Sequence, residues 1–306
     1  MSTITSLILH EGDVERSHFL DTFLANLEDD SSLFQPEKLR ERLIALDDLD
    51  ARFGDFDSEN SPTCADPDMH TRAKALQKQL EAANAEFYQS VRSDIVRDGQ
   101  PRALLHCIQA SATQNESISP FPGLGFDWRD ELVSEVLQLR KPSEPNLMRV
   151  PEMVPYQLTP IRHVLDLIAA TALAEDDVFV DLGSGLGHVP LLVSMMTGVQ
   201  SLGIEVEAAY VTSAQECAQS LHLGHVRFIA QDARETDLSS GTVFYLYSPF
   251  KGSILTDVLS SLRTESTRRH LKICSLGPCT LTVANETWLK ASARPETGRV
   301  TVFTSR

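Results

Sequence analysis

The stretch that decides the fold is Val178–Met195, which reads VFVDLGSGLGHVPLLVSM. It opens with three apolar residues and Asp181, a pattern that predicts the end of a buried parallel strand. Glycines then recur at alternate positions, and the apolar run from Val189 predicts a helix packed on the sheet. A strand, a glycine turn and a helix N-terminus form a cofactor cradle, because backbone N–H groups point out of it unpaired.

The spacing of the glycines excludes a dinucleotide fingerprint. G-x-G-x-x-G counted from Gly183 needs a third glycine at position 188, where the chain has His188. The observed pattern places an acid two residues before G-x-G-x-G, which resembles motif I of the class I S-adenosylmethionine (SAM) methyltransferases. It most closely resembles the non-SET histone-lysine methyltransferases of the disruptor-of-telomeric-silencing family, whose loop reads F-V-D-L-G-S-G-x-G. This resemblance covers residues 156–250, and the alternative is a tight corner in another α/β fold.

The resemblance implies SAM as the cofactor and implies which residues bind it. The motif I loop supplies Asp181, Gly183, Ser184, Gly185 and Gly187. In these families the segment before the preceding helix folds over the methionine end of SAM, here at Tyr156, Gln157 and Thr159. The residues that follow the second and third predicted strands hold the ribose and the adenine, here Glu205, Asp232 and Ala233.

Two of these assignments have alternatives. A carboxylate at Glu205 suits the ribose because its two oxygens accept two O–H donors, each bond contributing about 1.5–3 kcal/mol. Glu207 is the alternative ribose ligand. Asp232 could equally serve as a helix cap. His188, on the first turn of the motif helix, either accepts a proton as a neutral imidazole or caps and packs.

The fourth predicted strand, residues 242–247, runs into Ser248-Pro249-Phe250. SAM enzymes that methylate nitrogen often carry Asn/Asp/Ser-Pro-Pro-aromatic at this position, where carbonyls and a side-chain oxygen hold the acceptor. The resemblance therefore implies an acceptor site formed by Tyr247, Ser248, Pro249 and Phe250. The second proline is missing, so a strand-ending turn is the alternative.

The chain is predicted to be an α/β protein with a class I methyltransferase, Rossmann-like seven-stranded sheet and helices on both faces. An α-helical N-terminal region, residues 1–145, precedes the SAM-binding domain, residues 146–306, because apolar stripes at helical spacing fill the first part. Thr159 is predicted to cap the helix that starts at residue 161. Residues 280–284 and 299–304 are predicted to pair as antiparallel strands at the sheet edge.

The net charge of −16 is concentrated in residues 1–150, which hold 15 Lys and Arg against 27 Asp and Glu. Such a surface repels phosphate backbones, so direct nucleic-acid binding is not expected. The sequence shows no zinc pattern, no signal peptide and no apolar run long enough to span a membrane, and a cytoplasmic location is expected. The sequence thus predicts a SAM-dependent methyltransferase acting on a nitrogen of a protein or a small molecule. The alternative is a non-catalytic SAM-binding or scaffold protein.

Overall fold

The computed structural model describes residues 2–54, 67–99, 101–110, 125–142 and 150–306. The chain forms two compact units, Met1–Ser90 and Val91–Arg306. The first unit contains α1 (Ser2–Asp29), two short 3-10 helices (Ser31–Phe34 and Pro36–Lys38), α2 (Leu39–Phe53) and most of α3 (Pro67–Asp98). Its core consists of apolar side chains at three- and four-residue spacing on these helices, including the fully buried Leu24, Leu49 and Leu80.

The second unit contains the end of α3 and a seven-stranded sheet with helices between most of its strands. In chain order its elements are α4 (Arg102–Ala110), α5 (Trp128–Leu137), α6 (Ile161–Thr171), β1 (Val178–Leu182), α7 (His188–Thr197), β2 (Gln200–Glu205), α8 (Ala208–Ser220), β3 (Val226–Ala230), β4 (Val243–Tyr247), α9 (Gly252–Ser266), β5 (Lys272–Leu276), α10 (Cys279–Ala284), β6 (Leu289–Ala291) and β7 (Thr301–Ser305). No described helix is both long and apolar enough to cross a membrane.

The strand order is β3-β2-β1-β4-β5-β7-β6. Strands β1 to β5 are parallel, and β7 runs antiparallel to both of its neighbours. This arrangement confirms the predicted class I methyltransferase fold. The order reverses between β1 and β4, and ligands of open α/β sheets bind in the crevice outside the strand ends at such a point. The fold therefore places the end of motif I beside the end of β4.

Two hydrophobic layers hold the central strands. Val180 and Phe244 face one side of the sheet and pack into the same buried cluster as Val258 and Leu262 of α9. Phe179 and Tyr245 face the other side, where their rings stack with centroids 6.3 Å apart. Because β1 and β4 are buried on both faces, their sequences are nearly continuous apolar runs rather than alternating ones.

The predicted pairing of residues 280–284 with 299–304 is wrong. Residues 279–284 form α10, and the antiparallel partners of β7 are β5 and β6, with Lys290 of β6 opposite Thr304. Gly277, with φ of +84°, and Pro278 turn the chain into this helix directly after β5. The run TLTVA is rich in β-branched residues, but a stretch this short has no periodicity that separates helix from strand.

The predicted cap at Thr159 is also wrong. Pro160 occupies the N-cap position of α6, and the Asp130 carboxylate accepts the Ile161 N–H at 2.7 Å. Thr159 is instead buried, with 5% of its surface exposed. The cap comes from α5, where Asp130 also forms a capping box with Asp127. A cap supplied from 31 residues away leaves no local pattern in the sequence.

The compact unit Val91–Arg306 contains helices that precede the sheet in the chain. Helix α5 lies in the same unit as the sheet, where the Arg140 N–H donates to the Ser213 hydroxyl at 3.1 Å. The end of α3 joins it there through Arg92, which donates to the Ser220 hydroxyl at 2.6 Å. The predicted boundary at residue 145 lies outside the described residues and stays a prediction.

Candidate cofactor and acceptor site

A cavity opens at the carboxyl ends of β1, β2 and β4, where the strand order reverses. It brings together all but one of the predicted site residues. The cavity is lined by Tyr156, Gln157, Thr159, Asp181, Gly183, Ser184, Gly185, Glu205, Asp232, Ala233, Tyr247, Ser248, Pro249 and Phe250. The exception is Gly187, which lies behind the cavity, where an added Cβ would meet Phe228 and Ala214. The predicted cofactor and acceptor residues thus share one continuous space.

The glycine loop is closely covered by two other segments. Gly183 and Gly185 have φ of +85° and +53°, a region that side chains rarely adopt. A Cβ at Gly183 would lie 2.2 Å from Pro249, and one at Gly185 would lie 2.2 Å from the Tyr156 ring. A side chain at Gly185 would therefore clash with Tyr156, and both glycines are required by backbone conformation and by space.

Glu205, the predicted ribose ligand, ends β2 and lines the cavity. Its Oε2 accepts the Gly185 N–H at 2.8 Å, and its Oε1 accepts the Glu207 N–H at 2.9 Å. Each oxygen keeps lone-pair capacity for one further donor. Glu207, in contrast, is 5% exposed and caps α8 by accepting the Ala209 N–H at 3.4 Å. The geometry supports Glu205 over Glu207 as the ribose ligand.

Asp181 is buried beneath the loop, with 4% of its surface exposed. Burial raises the pKa of its carboxyl well above the ordinary value, and the negative charge of Glu205 raises that pKa further. A cation bound in the cavity would relieve both effects. The sulfonium and ammonium groups of SAM are such cations, so the carboxylates fit this cofactor.

Asp232 is already engaged by a neighbouring cation. The Arg234 guanidinium donates to both of its oxygens, at 3.0 Å from Nε and 2.7 Å from Nη2, and the Arg234 N–H donates at 2.9 Å. These bonds lower the pKa of the Asp232 carboxyl. The turn-capping role is therefore present, and an adenine amino group would share the carboxylate with Arg234.

Residues 247–250, which are predicted to bind the acceptor, are called the acceptor segment. The Ser248 hydroxyl holds this segment in place through two hydrogen bonds. It donates to the Leu276 carbonyl at 3.1 Å and accepts the Cys279 N–H at 3.0 Å. Ser248 also has φ of +43°, which is unusual for a residue with a side chain. Because the loop between β5 and α10 engages this hydroxyl, the structure does not support the predicted role of the Ser248 side-chain oxygen in holding an acceptor.

A strap formed by residues 150–156 runs along the acceptor segment. Met153 and Phe250 form an antiparallel bridge, and the Val154 N–H donates to the Pro249 carbonyl at 3.0 Å. The Glu152 carboxylate accepts the Ser253 N–H at 2.6 Å, at the start of α9. The strap thus ties the acceptor segment to the segment predicted to cover the methionine end of SAM.

Aromatic and neutral polar groups complete the lining. Tyr156, Tyr210, Tyr245 and Tyr247 are four of the five tyrosines in the chain, and Tyr156 meets Tyr210 edge-on at 5.7 Å. His188 is fully buried, and burial lowers its pKa to about 4, so its imidazole is neutral. The His188 Nε2 has no hydrogen-bond partner among the described residues.

Sequence reasoning missed three contributors to this site. Tyr210 lies in a helix and Tyr245 in a strand that reads as continuously apolar, so neither produces a motif. Glu152 precedes the quoted motif segments and reaches α9 only through tertiary structure. The available signal was strand alternation, because Tyr245 and Tyr247 necessarily share the face of Asp181.

Residues 155–244 match the profile of the family described as "Histone methylation protein DOT1". Among solved structures, the chain is similar to an RNA methyltransferase from Salinibacter ruber in complex with S-adenosyl-L-homocysteine (SAH), with 23% identity, a TM-score of 0.39, and coverage of 49% of this chain and 92% of that one. It is also similar to precorrin-6y C5,15-methyltransferase from Geobacter metallireducens, with 14% identity, a TM-score of 0.39, and coverage of 50% and 91%. The sequence matches no curated protein.

The family match covers the motif I loop, the Glu205 position and the first two residues of β4. It agrees with the sheet order and with a cavity whose glycine cradle and carboxylates fit SAM. The chain is an S-adenosylmethionine-dependent methyltransferase of the class I fold, and its residues 155–244 match the DOT1 family.

Proposed function

We propose that this enzyme transfers the methyl group of SAM to an amine nitrogen bound beside Tyr247 and Phe250. The observation that supports an amine is the charge of the cavity. Its lining includes the carboxyl groups of Asp181, Glu205, Glu207 and Asp232, and none of the described lining residues is a lysine or arginine. Asp232 is already paired with Arg234, and burial favours the neutral form of Asp181, whose charge a bound cation would restore. Such a cavity favours cationic ligands and disfavours acceptors that carry phosphate or carboxylate groups.

SAM, when bound, supplies a methyl group on a positively charged sulfur. In the transfer a nitrogen–carbon bond forms as the sulfur–carbon bond breaks, and SAH leaves as a neutral thioether. A protonated amine must first release one proton to solvent water, because only the neutral amine has a lone pair. The protein aligns the nitrogen and keeps water away, and no covalent nucleophile is needed. Tyr247, which is half-buried at the end of β4, and the buried Phe250 supply apolar surface for this purpose.

The carrier of the amine is either a basic protein segment or a small amine. The name of the matched family and the net charge of −16 support a basic protein, because opposite charges steer association. The cavity chemistry is the same for both carriers, so the experiment has to separate them.

The test uses SAM labelled in its methyl group. The protein is incubated with core histones, with a lysine-containing peptide and with a panel of small amines, alongside matched alcohols, thiols and carboxylic acids. We expect label only on amines, and none with Gly185→Val, which cannot hold the loop. Label on oxygen or sulfur acceptors would contradict the amine assignment, and a lack of label on all amines would do the same.

Tyr247→Ala separates the acceptor end from the cofactor end. We expect turnover on the labelled amine to fall at least tenfold while the dissociation constant of SAH changes by less than about twofold, because the truncated side chain faces the acceptor. Equal losses in SAH binding and turnover would mean that Tyr247 belongs to the cofactor wall.

A further inference from the structure

The Tyr245 hydroxyl is a deeply buried polar group that faces the cavity without a partner. Tyr245 is 1% exposed and lines the cavity from β4. Thr159 lies close enough to influence its pKa, but no hydrogen bond of normal geometry reaches the hydroxyl from the described residues. Buried hydroxyl groups are nearly always hydrogen-bonded, so an exception that faces a cavity points to a ligand.

The sheet register fixes where this hydroxyl stands. Asp181 and Tyr245 are direct neighbours on β1 and β4, so their side chains leave the sheet on the same face. Two further buried polar atoms along the same cavity, Ser184 Oγ and His188 Nε2, also lack partners among the described residues. The unsatisfied groups therefore cluster around the end of β1, on the side towards the helices α6 and α7.

The part of SAM that reaches this region follows from the strand order. Glu205 ends β2 and Asp232 follows β3, so the ribose and adenine positions lie on one side of β1. Tyr245 lies on β4, on the opposite side. A ligand that places its nucleoside over β2 and β3 therefore extends its amino-acid end over β1 and β4.

Neutral donors are needed in that region. The amino-acid end of SAM carries an ammonium and a carboxylate, and Asp181 is a partner for the ammonium. None of the described lining residues is a lysine or arginine that could pair with the carboxylate. We infer that the Tyr245 hydroxyl hydrogen-bonds the amino-acid end of SAM and makes the enzyme select ligands that carry this end. The inference rests on SAM as the cofactor and is independent of the proposed acceptor.

The test compares two ligands in the unmodified protein and in Tyr245→Phe. SAH contains the amino-acid end, and 5′-methylthioadenosine has the same nucleoside and sulfur without it. Titration calorimetry should show about a tenfold or greater loss of SAH affinity in Tyr245→Phe, as expected for a lost hydrogen bond to a charged group. The affinity for methylthioadenosine should change by less than about twofold.

The unliganded protein provides a second readout. Removing an unpaired buried hydroxyl should leave the melting temperature unchanged or raise it, whereas removing a structural hydrogen bond lowers it. A lower melting temperature together with an unchanged ratio of SAH to methylthioadenosine affinity would assign the hydroxyl to Thr159 and overturn the inference.

Tyr247→Phe is the matched control. It removes a hydroxyl two residues further along the same strand and on the same face, towards the acceptor. We expect it to leave the ratio of the two affinities unchanged. The inference is overturned if Tyr247→Phe lowers this ratio as much as Tyr245→Phe, or if Tyr245→Phe weakens both ligands equally.

Discussion

Glu205 joins two backbone segments before any ligand arrives. Its carboxylate accepts the Gly185 and Glu207 N–H groups, which fixes the motif I loop against the end of β2. Both bonds need an oxygen acceptor. An amide would put an NH₂ group against one of these donors, so the loop and the ribose site would be disturbed together.

We therefore expect Glu205→Gln to weaken SAH binding by about 1–3 kcal/mol, which is roughly 5- to 150-fold. Glu207→Gln is the control, because an amide oxygen can still cap α8 at Ala209. It should change SAH affinity by less than about threefold. Calorimetric titration of both variants checks this, and a larger loss at Glu207 would reverse the ribose assignment.

The Ser248 hydroxyl has a structural role that its sequence position does not reveal, because both of its hydrogen bonds are tertiary contacts. Ser248→Ala leaves the Cys279 N–H without its acceptor, so the free energy of unfolding should fall by about 1–3 kcal/mol. Ser260→Ala, on the exposed face of α9, should change it by less than about 0.5 kcal/mol. Urea denaturation of both variants measures the difference, and equal stabilities would remove the structural role of the hydroxyl.

At the scale of elements, local pattern was sufficient wherever a single segment determined its own structure. Strand β1, the glycine turn and α7 follow from consecutive residues, and β4 lies within the predicted residues 242–247. The sequence pattern did not predict helix α10, because its short β-branched run is ambiguous without the turn at Gly277. The sequence pattern did not predict the contacts of the strap either, because Glu152 and Ser253 are 101 positions apart in sequence.

The junction between α5 and α6 depends on one carboxylate. Asp130 accepts the Asp127 N–H at 2.8 Å and the Ile161 N–H at 2.7 Å, so it serves the N-termini of both helices. Burial raises its pKa from 3.8 to about 6. The folded state binds the Asp130 proton more tightly than the unfolded state, so protonation of this carboxyl stabilises the fold. This contribution to the free energy of unfolding is fully present below about pH 4 and is lost as pH rises through 6.

The stability advantage of the unmodified protein over Asp130→Asn should therefore shrink between pH 4 and pH 6 and then stay constant. Urea denaturation of the two proteins at pH 4, 5, 6 and 7 measures this difference and cancels the titration of every other group. A difference that is independent of pH would mean that the Asp130 carboxyl keeps its ordinary pKa.

The strap of residues 150–156 is the element that connects acceptor and cofactor segments. Glu152→Ala removes the carboxylate that accepts the Ser253 N–H, so the N-terminus of α9 should lose this cap. We expect faster hydrogen exchange at the Val154 and Lys251 amides, which pair strap and acceptor segment. Exposed Glu216→Ala on α8 is the control, and unchanged exchange in Glu152→Ala would separate the strap from α9.

At the scale of the whole molecule, composition predicted the sign of the charge and the motifs predicted which segments meet at the cavity. The partners of individual polar groups were not predictable. The Asp232–Arg234 pair is local, but the bonds from Glu205 to Gly185 and from Ser248 to Cys279 depend on strand neighbours. The sequence predicts residues that line the cavity, whereas the hydrogen-bond partners of these residues follow only from the fold.

The net charge of −16 leads to the last prediction, which concerns the whole chain. Non-specific binding to duplex DNA depends on Lys and Arg that displace counterions, and dissociation constants for it are about 10⁻⁴ to 10⁻⁶ M at physiological salt. A chain with 27 basic against 43 acidic residues should bind more weakly than this range. A lysine-rich peptide should instead bind, and its affinity should fall as salt rises.

Fluorescence anisotropy with a labelled 20-base-pair duplex and with a labelled lysine-rich peptide, each at low and at physiological salt, tests both expectations on the full chain. The duplex should give no saturation at protein concentrations up to about 100 μM, because the acidic residues repel its phosphates. A matched peptide with glutamate in place of lysine should not bind. Saturable DNA binding at physiological salt would show that a local basic surface overrides the net charge, and the acidic composition would then say nothing about the choice of substrate.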